Sequence, residues 1–181
     1  MVCFQVEGDA KRFRNELDGR LAKFGLEVAA EKTKVLEFGP LAERKAKDRE
    51  ERPQTFDFLG LTHFCSRSRS GSIFRMKRVT ARKKFKAPRE FKEWLKANRT
   101  MPIQELMKIV AAKLRGHFAY YGVSDNSQKI GRFADEVRTL LYRWLNRRSN
   151  RGNMTWEKFC KLLKKFPLPK PRIRVNLLPT W

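Results

Sequence analysis

The sequence predicts an α+β protein in which short strands, one helix and a hairpin come first and a helical bundle follows. Two patterns support this prediction. Apolar and polar residues alternate in several short runs up to residue 79, as in half-buried strands. From Thr80 onward, apolar residues recur at the spacing of three and four that marks amphipathic helices. We therefore predict an α+β segment over residues 1–79, an all-α bundle over 80–166 and an extended, proline-rich tail over 167–181.

The chain begins with a predicted strand and helix. Residues 2–6 are mostly apolar and favour a short strand. Asp9 is a candidate N-cap for a helix over residues 10–24, because its carboxylate can accept a hydrogen bond from a free backbone N–H. The apolar residues of this helix fall on one face and predict its buried stripe: Phe13, Leu17, Leu21 and Phe24.

Alternating runs continue up to residue 79. Residues 26–28 and 35–38 predict two strands on either side of a turn. Residues 39–53 are highly charged and lie between two prolines, so they predict a linker or flexible loop. Residues 56–64 predict a strand that pairs, after a short turn, with a second strand over residues 73–79.

The second half predicts three long helices and one short helix, over residues 80–98, 101–121, 127–148 and 156–165. Pro88 should kink or restart the first of them, and Thr155 should cap the last. Their apolar faces supply the predicted core: Phe91, Trp94, Leu95, Ile103, Leu106, Met107, Val110, Leu114, Phe118, Ile130, Phe133, Ala134, Val137, Leu140, Leu141, Trp144, Leu145, Trp156, Phe159, Leu162 and Leu163.

Charge separates the two parts of the chain. Residues 1–60 contain 12 Lys and Arg against 12 Asp and Glu, whereas residues 61–181 contain 30 against 7, which accounts for the whole net charge of +23. Such an excess favours a polyanionic partner. No apolar run approaches the length that spans a bilayer, and the N-terminus has no signal-peptide pattern. Three widely spaced cysteines predict free thiols in a reducing compartment.

Residues 114–123, LRGHFAYYGV, combine cationic and aromatic side chains. Arg115 and His117 can donate hydrogen bonds, and Tyr120 and Tyr121 offer flat faces on which unpaired bases could stack. The alternative is a helix end whose aromatic residues belong to the core. A left-handed backbone at Gly122 could end that helix.

Eight basic residues without one acid lie between residues 75 and 89 and form the densest cationic run: Arg75, Lys77, Arg78, Arg82, Lys83, Lys84, Lys86 and Arg89. A run of this kind is commonly a solvated surface, but the lack of acids favours contact with phosphates. Four later arginines would extend the same surface across the bundle: Arg143, Arg147, Arg148 and Arg151. Contacts of this type position a nucleic-acid backbone and carry little sequence information.

In order, these stretches resemble the C-terminal part of group II intron-encoded proteins, the bacterial reverse transcriptase/maturases. Residues 2–24 resemble a palm strand and helix of that family, and residues 26–39 resemble its next palm motif. Phe58, Leu59 and Gly60 are similar to the primer-grip triplet. The sequences RGHFAYYGV, YRWLNRR (142–148) and TWE (155–157) resemble the maturase-specific thumb, domain X.

The resemblance implies a polymerase family, but this sequence lacks that family's Tyr-Ala-Asp-Asp loop, and residue 1 falls where the loop would end. We therefore expect no catalytic residue and no DNA synthesis by this chain, and Mg²⁺ only in the intact polymerase. Lys32 resembles a palm lysine that could protonate pyrophosphate in an intact enzyme. In this chain alone, a solvated turn residue is the favoured interpretation. Neither histidine has a partner at zinc-ligand spacing, so no metal site is expected.

Together these features predict an RNA-binding maturase fragment of the bacterial cytoplasm that helps group II intron RNA to fold and splice. Its partner would be structured RNA, with DNA as a further possibility, and no membrane. One alternative is a part of an active RNA-directed DNA polymerase, either mis-started or completed by a separate chain that carries the fingers and catalytic palm. Another is a general basic nucleic-acid-binding protein.

Overall fold

The computed structural model describes residues 1–31, 33–68, 71, 74–81, 87–98, 100–148 and 154–177, and it divides into two compact units. The first unit comprises Met1–Thr55 and Cys65–Arg75; the second comprises Phe56–Phe64 and Met76–Trp181. Six helices and a three-stranded sheet are formed by the described residues, which confirms the predicted α+β class. The limits at residues 79 and 166 stay predictions.

The first unit contains two helices, α1 (Glu7–Ala22) and α2 (Pro40–Asp48). Helix α1 begins before Asp9, which lies in its first turn, so the prediction of Asp9 as N-cap was wrong. Helix α2 replaces the loop predicted for residues 39–53. Its first residue is proline, whose missing N–H would have no partner inside the helix at that position. Ala42 and Ala46, four residues apart, form its buried face.

The strands predicted around α1 do not form: the described residues of 2–6, 26–28 and 35–38 contain no strand. A strand needs a partner for its backbone N–H and C=O groups, and alternation alone does not supply one. As a result, no sheet formed by these segments packs against the apolar face of α1. Phe13 is 38% exposed and Phe24, just beyond the helix, is 72% exposed.

The sheet contains β1 (Phe56–Phe58), β2 (Leu61–Arg67) and β3 (Phe74–Thr80), in that order. Strands β1 and β2 are antiparallel, with Phe58 opposite Leu61. Leu59 and Gly60 connect them with φ angles of 49° and 74°, as in a tight two-residue turn. The single strand predicted over residues 56–64 is therefore a hairpin. A two-residue turn preserves an alternation of period two, so the pattern could not reveal it.

The second unit also contains four helices: α3 (Ala87–Ala97), α4 (Ile103–Tyr121), α5 (Ser127–Asn146) and α6 (Trp156–Lys165). Helix α5 packs against α3 and α4. Thr155 caps α6 as predicted, because its side chain accepts a hydrogen bond from the Lys158 N–H. The predicted helix start at Thr80 was wrong, since Thr80 ends β3 and α3 begins beside Pro88. None of the described helices has the length and apolarity needed to cross a membrane.

The core of the second unit is formed by α3–α6, and all thirteen of its buried members in the described part of the chain were predicted: Phe91, Leu95, Leu106, Met107, Val110, Leu114, Phe118, Ile130, Phe133, Val137, Leu141, Leu145 and Phe159. Two further residues were wrongly predicted to be in the core: Ile103 and Trp156 are 38% and 50% exposed. Each is the first residue of its helix. A helical side chain leans towards the N-terminus, so at the first position it extends past the end of the packed face.

A buried amide fixes the junction between α4 and α5. The side chain of Asn126 is inaccessible to solvent, and its Oδ1 accepts a hydrogen bond from the Thr80 N–H at 2.8 Å. Its Nδ2 donates to the Tyr121 carbonyl, also at 2.8 Å. Because buried polar groups are expensive to leave unpaired, this side chain holds the end of β3 against the end of α4.

The tail folds back onto the same junction. A parallel bridge joins Val123 to Val175, and the Arg174 N–H donates to the Gly122 carbonyl at 2.7 Å. A Cβ on Gly122 would lie 2.7 Å from the Arg172 carbonyl oxygen and closer still to that of Phe118. The φ of Gly122 is −76°, so the predicted left-handed cap was wrong. Glycine is required here because two backbone segments approach it closely.

Candidate nucleic-acid interface

The positive charge of the chain is concentrated in the second unit. The first unit contains 15 Lys and Arg against 11 Asp and Glu, whereas the second contains 27 against 8. The ion pairs found between described residues all lie in the first unit: Lys11–Glu7, Arg12–Asp9, Arg14–Asp18, Lys45–Glu37 and Arg67–Glu43. The first unit therefore has a small positive excess of 4 and pairs part of its charge internally, whereas the second carries an excess of 19 that favours an external anion.

The described members of the basic run between residues 75 and 89 do not lie on one surface. Lys77 and Arg78 are adjacent on β3, so their side chains leave opposite faces of the strand. Nη1 of Arg78 is buried and has no hydrogen-bond partner in the described part of the chain. Burial, and secondarily the charge of Arg78, lower the pKa of His63. Arg75 belongs to the first unit, and Arg89 is exposed on α3. Four members of the run lie outside the described residues: Arg82, Lys83, Lys84 and Lys86.

The RGHFAYYGV motif is divided between solvent and core. Arg115 is exposed on α4, whereas His117, about 200° further around the helix, is half-buried. The His117 ring stacks on Phe133 with 3.8 Å between centroids. Burial lowers the pKa of His117 to about 4. At neutral pH this imidazole is therefore uncharged and can donate at most one hydrogen bond, so Arg115 supplies the cation of the motif.

The two tyrosines connect this motif with the predicted primer-grip turn. The Tyr120 hydroxyl donates a hydrogen bond to the Leu59 carbonyl at 2.8 Å, yet the side chain is 55% exposed. Tyr121 is half-buried, and burial raises its pKa. Phe58 and Leu59 are exposed, and the Gly60 carbonyl accepts from the Ala81 N–H. The hairpin turn and the end of α4 thus form one contiguous surface with exposed aromatic and apolar groups.

The arginines at the end of α5 have two different environments. Arg143 and Arg147 are exposed and four residues apart, so they share one face of the helix. The Arg147 guanidinium lies 5.7 Å from the Trp144 ring centroid. Arg148 is half-buried and donates from Nη2 to the Met101 carbonyl, so it braces the segment before α4. Arg151 and Lys32 lie outside the described residues.

A second basic segment, which sequence reasoning missed, comprises α6 and the tail. Between Trp156 and Leu177 the only acid is Glu157, and seven cations are exposed: Lys158, Lys161, Lys164, Lys165, Lys170, Arg172 and Arg174. We call these seven residues the α6–tail surface. Apolar residues stand between these cations in the sequence, so they do not form a continuous basic run that would be noticed there. Helical spacing would have revealed it, because Lys158, Lys161 and Lys165 fall on one face.

Potential metal ligands and cysteines are the last chemical groups of interest in the described part of the chain. No group of three His, Cys, Asp or Glu side chains in the described part of the chain is placed to hold a metal ion. Cys3, Cys65 and Cys160 are free thiols.

Fold and charge together define a small hairpin joined to a strongly basic helical bundle. Residues 82–161 match the family model described as the group II intron, maturase-specific domain. This segment is similar to the maturase-specific domain, and the match supports a C-terminal portion of a maturase with a group II intron maturase-related function. The search of curated proteins and the search of solved structures each found no match.

Proposed function

We propose that this chain binds structured RNA of a group II intron in the bacterial cytoplasm and helps that RNA to fold and splice. The observation that carries the proposal is the α6–tail surface, with seven exposed cations and one acid within a single helix and its extension. Lys and Arg that neutralise phosphates release counterions, which makes binding favourable and salt-dependent. The family match to residues 82–161 supports intron RNA as the source of those phosphates.

Three arginines extend this contact beyond the α6–tail surface. Arg115, Arg143 and Arg147 are exposed on α4 and α5, and two of them share a helix face. Tyr120 adds a half-exposed ring beside the hairpin turn. Contacts of this kind follow the shape of the phosphate backbone more than its sequence.

The salt dependence of RNA affinity tests this proposal. Replacing Lys158, Lys161 and Lys164 by Ala should reduce the slope of log affinity against log salt concentration by about 3, one for each lost phosphate contact. The matched control removes three exposed cations of the first unit: Lys23→Ala, Arg44→Ala and Arg49→Ala. Its slope should equal that of the unaltered chain. An affinity that does not change with salt would contradict the proposal, and equal affinity for intron RNA, random duplex RNA and DNA would favour a general nucleic-acid-binding protein.

We also propose that this chain alone does not polymerise nucleotides, because its sequence contains no Tyr-Ala-Asp-Asp run. A primer-extension assay with Mg²⁺, a primed RNA template and deoxynucleotides should give no product. Template-dependent product from the purified chain would instead support an active polymerase. Product that appears only after adding a chain with fingers and catalytic palm would identify a split enzyme.

A further inference from the structure

Trp156 has a large aromatic side chain that is half exposed to solvent. It is the first residue of α6, and 50% of it is exposed. Its position at the helix start carries it past the packed face that buries Phe159 completely. An exposed tryptophan in a strongly basic unit is a candidate surface for a ligand with a flat face.

Two helices hold the ring in place. Tyr142 of α5 meets it edge-on, with centroids 5.2 Å apart and planes at 82°. Phe159 of α6 lies 5.4 Å away at 44°. The Thr155 hydroxyl caps α6 by accepting a hydrogen bond from the Lys158 N–H, which fixes the first turn of the helix, where Trp156 lies. The exposed surface of Trp156 is therefore pre-organised, which lowers the entropy lost when a ligand stacks on it.

A planar cation accompanies the ring. The Arg138 guanidinium lies 5.2 Å from the Trp156 centroid, and the side chain is exposed on α5. Cation–π contacts at exposed sites are weak, so a stacking base can displace or share this contact. Three exposed acids are close in sequence to Arg138 or Trp156: Asp135, Glu136 and Glu157. They favour an uncharged base at the ring itself, while the phosphates follow the α6–tail surface.

We propose that Trp156 and Arg138 bind one unpaired base of the RNA: the indole ring stacks on the base, and the guanidinium contacts the edge of the base or the next phosphate. This inference rests on the proposed function, because it assumes that the second unit binds RNA. Aromatic stacking selects single-stranded over duplex RNA, since paired bases present no free face. The site would thus give the chain a preference for loops and bulges.

Two RNAs of equal length separate this contact from general charge: a hairpin with a single-stranded loop and a blunt duplex. Trp156→Ala should lower affinity for the hairpin about tenfold and leave duplex affinity unchanged. Trp156→Phe should retain most of the affinity because phenylalanine still stacks. Phe24→Ala is the control for removing an exposed aromatic side chain, since Phe24 is 72% exposed in the first unit.

The role of Arg138 is tested by comparing its substitution with that of a second exposed arginine on α5. Arg138→Ala should reduce hairpin affinity more than duplex affinity, whereas Arg132→Ala, exposed on the same helix, should reduce both equally. Tryptophan fluorescence gives a direct readout: hairpin RNA should quench the unaltered chain, and the quenching should largely disappear in Trp156→Phe. Thermal melting of each variant verifies that it is folded.

Equal hairpin affinities for folded Trp156→Phe, Trp156→Ala and the unaltered chain, with unchanged quenching, would overturn the inference. A change of oligomeric state with unaltered RNA affinity would do so too, by assigning the ring to a protein contact. If the unaltered chain binds neither RNA, the proposed function itself fails. If it binds both with a steep salt dependence and Trp156 has no effect, only the stacking site fails.

Discussion

The two units use amphipathic helices with different outcomes. Helix α1 of the first unit places Phe13, Leu17 and Leu21 on one face, and none of them is fully buried. Helix α5 of the second unit buries Val137 and Leu141 completely. Spacing alone gives both helices an apolar face. What differs is the presence of other helices against that face, as α5 has in α3 and α4.

Their charges differ in the same way. The first unit joins Lys and Arg to Asp and Glu in exposed ion pairs, which contribute little stability individually. The second unit presents the α6–tail surface with almost no acid near it in sequence. Equivalent residue types therefore partly balance charge in one unit and remain available for a polyanion in the other.

The largest expected effect tests the difference in burial. Leu141→Ala removes a completely buried side chain and should lower the free energy of unfolding of the second unit by about 2–5 kcal/mol. Leu17→Ala on α1 should cost less than about 1 kcal/mol. All four tryptophans belong to the second unit, so their fluorescence during denaturation reports that unit. A comparable loss from Leu17→Ala, measured by far-UV circular dichroism, would remove the contrast.

A pair of glycines tests backbone crowding next. Gly122→Ala should destabilise the second unit by about 1–3 kcal/mol, because the new Cβ would meet two backbone oxygens that cannot rotate away. Gly19 lies inside α1 with open space around it. Gly19→Ala should therefore stabilise that helix by about 0.5–1 kcal/mol. Chemical denaturation measures both, and a neutral Gly122→Ala would show that the tail does not hold its place against residue 122.

A third effect concerns pH and also separates the units, since both histidines belong to the second. The folded chain lowers the pKa of His117 from 6.5 to about 4 through burial. The unfolded chain therefore takes up this proton first as pH falls. Stability from this residue is complete above pH 6.5 and decreases towards pH 4, by about 1–3 kcal/mol.

Denaturation at several pH values, followed by tryptophan fluorescence, measures this loss. His117→Phe keeps a ring against Phe133 and should remove the part of the pH dependence due to residue 117. His63→Gln should leave that part in place, although burial also lowers the pKa of His63. An unchanged pH profile in His117→Phe would contradict the assigned burial.

Much of the second unit could be predicted from sequence. Helices α4, α5 and α6, the Thr155 cap and nearly all of the core followed from helical periodicity, because long amphipathic patterns persist over several turns. Short patterns were less informative. The charged segment that became α2 lacks a broad apolar stripe, and its two buried alanines give a weak signal. The tight turn at Leu59 and Gly60 was hidden within an uninterrupted alternation.

The candidate site was also predicted only in part from the sequence. Composition located the basic half of the chain, and residue types indicated Arg115, Tyr120, Arg143 and Arg147 as binding residues. The structure exposes these four side chains, and their role in binding stays a prediction. The buried, uncharged state of His117 and the bracing role of Arg148 depend on neighbours that are distant in sequence, Phe133 and Met101. Such contacts leave no local pattern.

The sequence by itself determined the helical bundle, its buried stripes and the excess of positive charge, because each depends on residue type and local spacing. Only the tertiary structure decided which apolar faces are covered, why residue 122 must be glycine and that Trp156 stays half in solvent. Those outcomes depend on which segments meet in space. Burial and close approach are properties of pairs of segments, and one segment's composition cannot specify its partner.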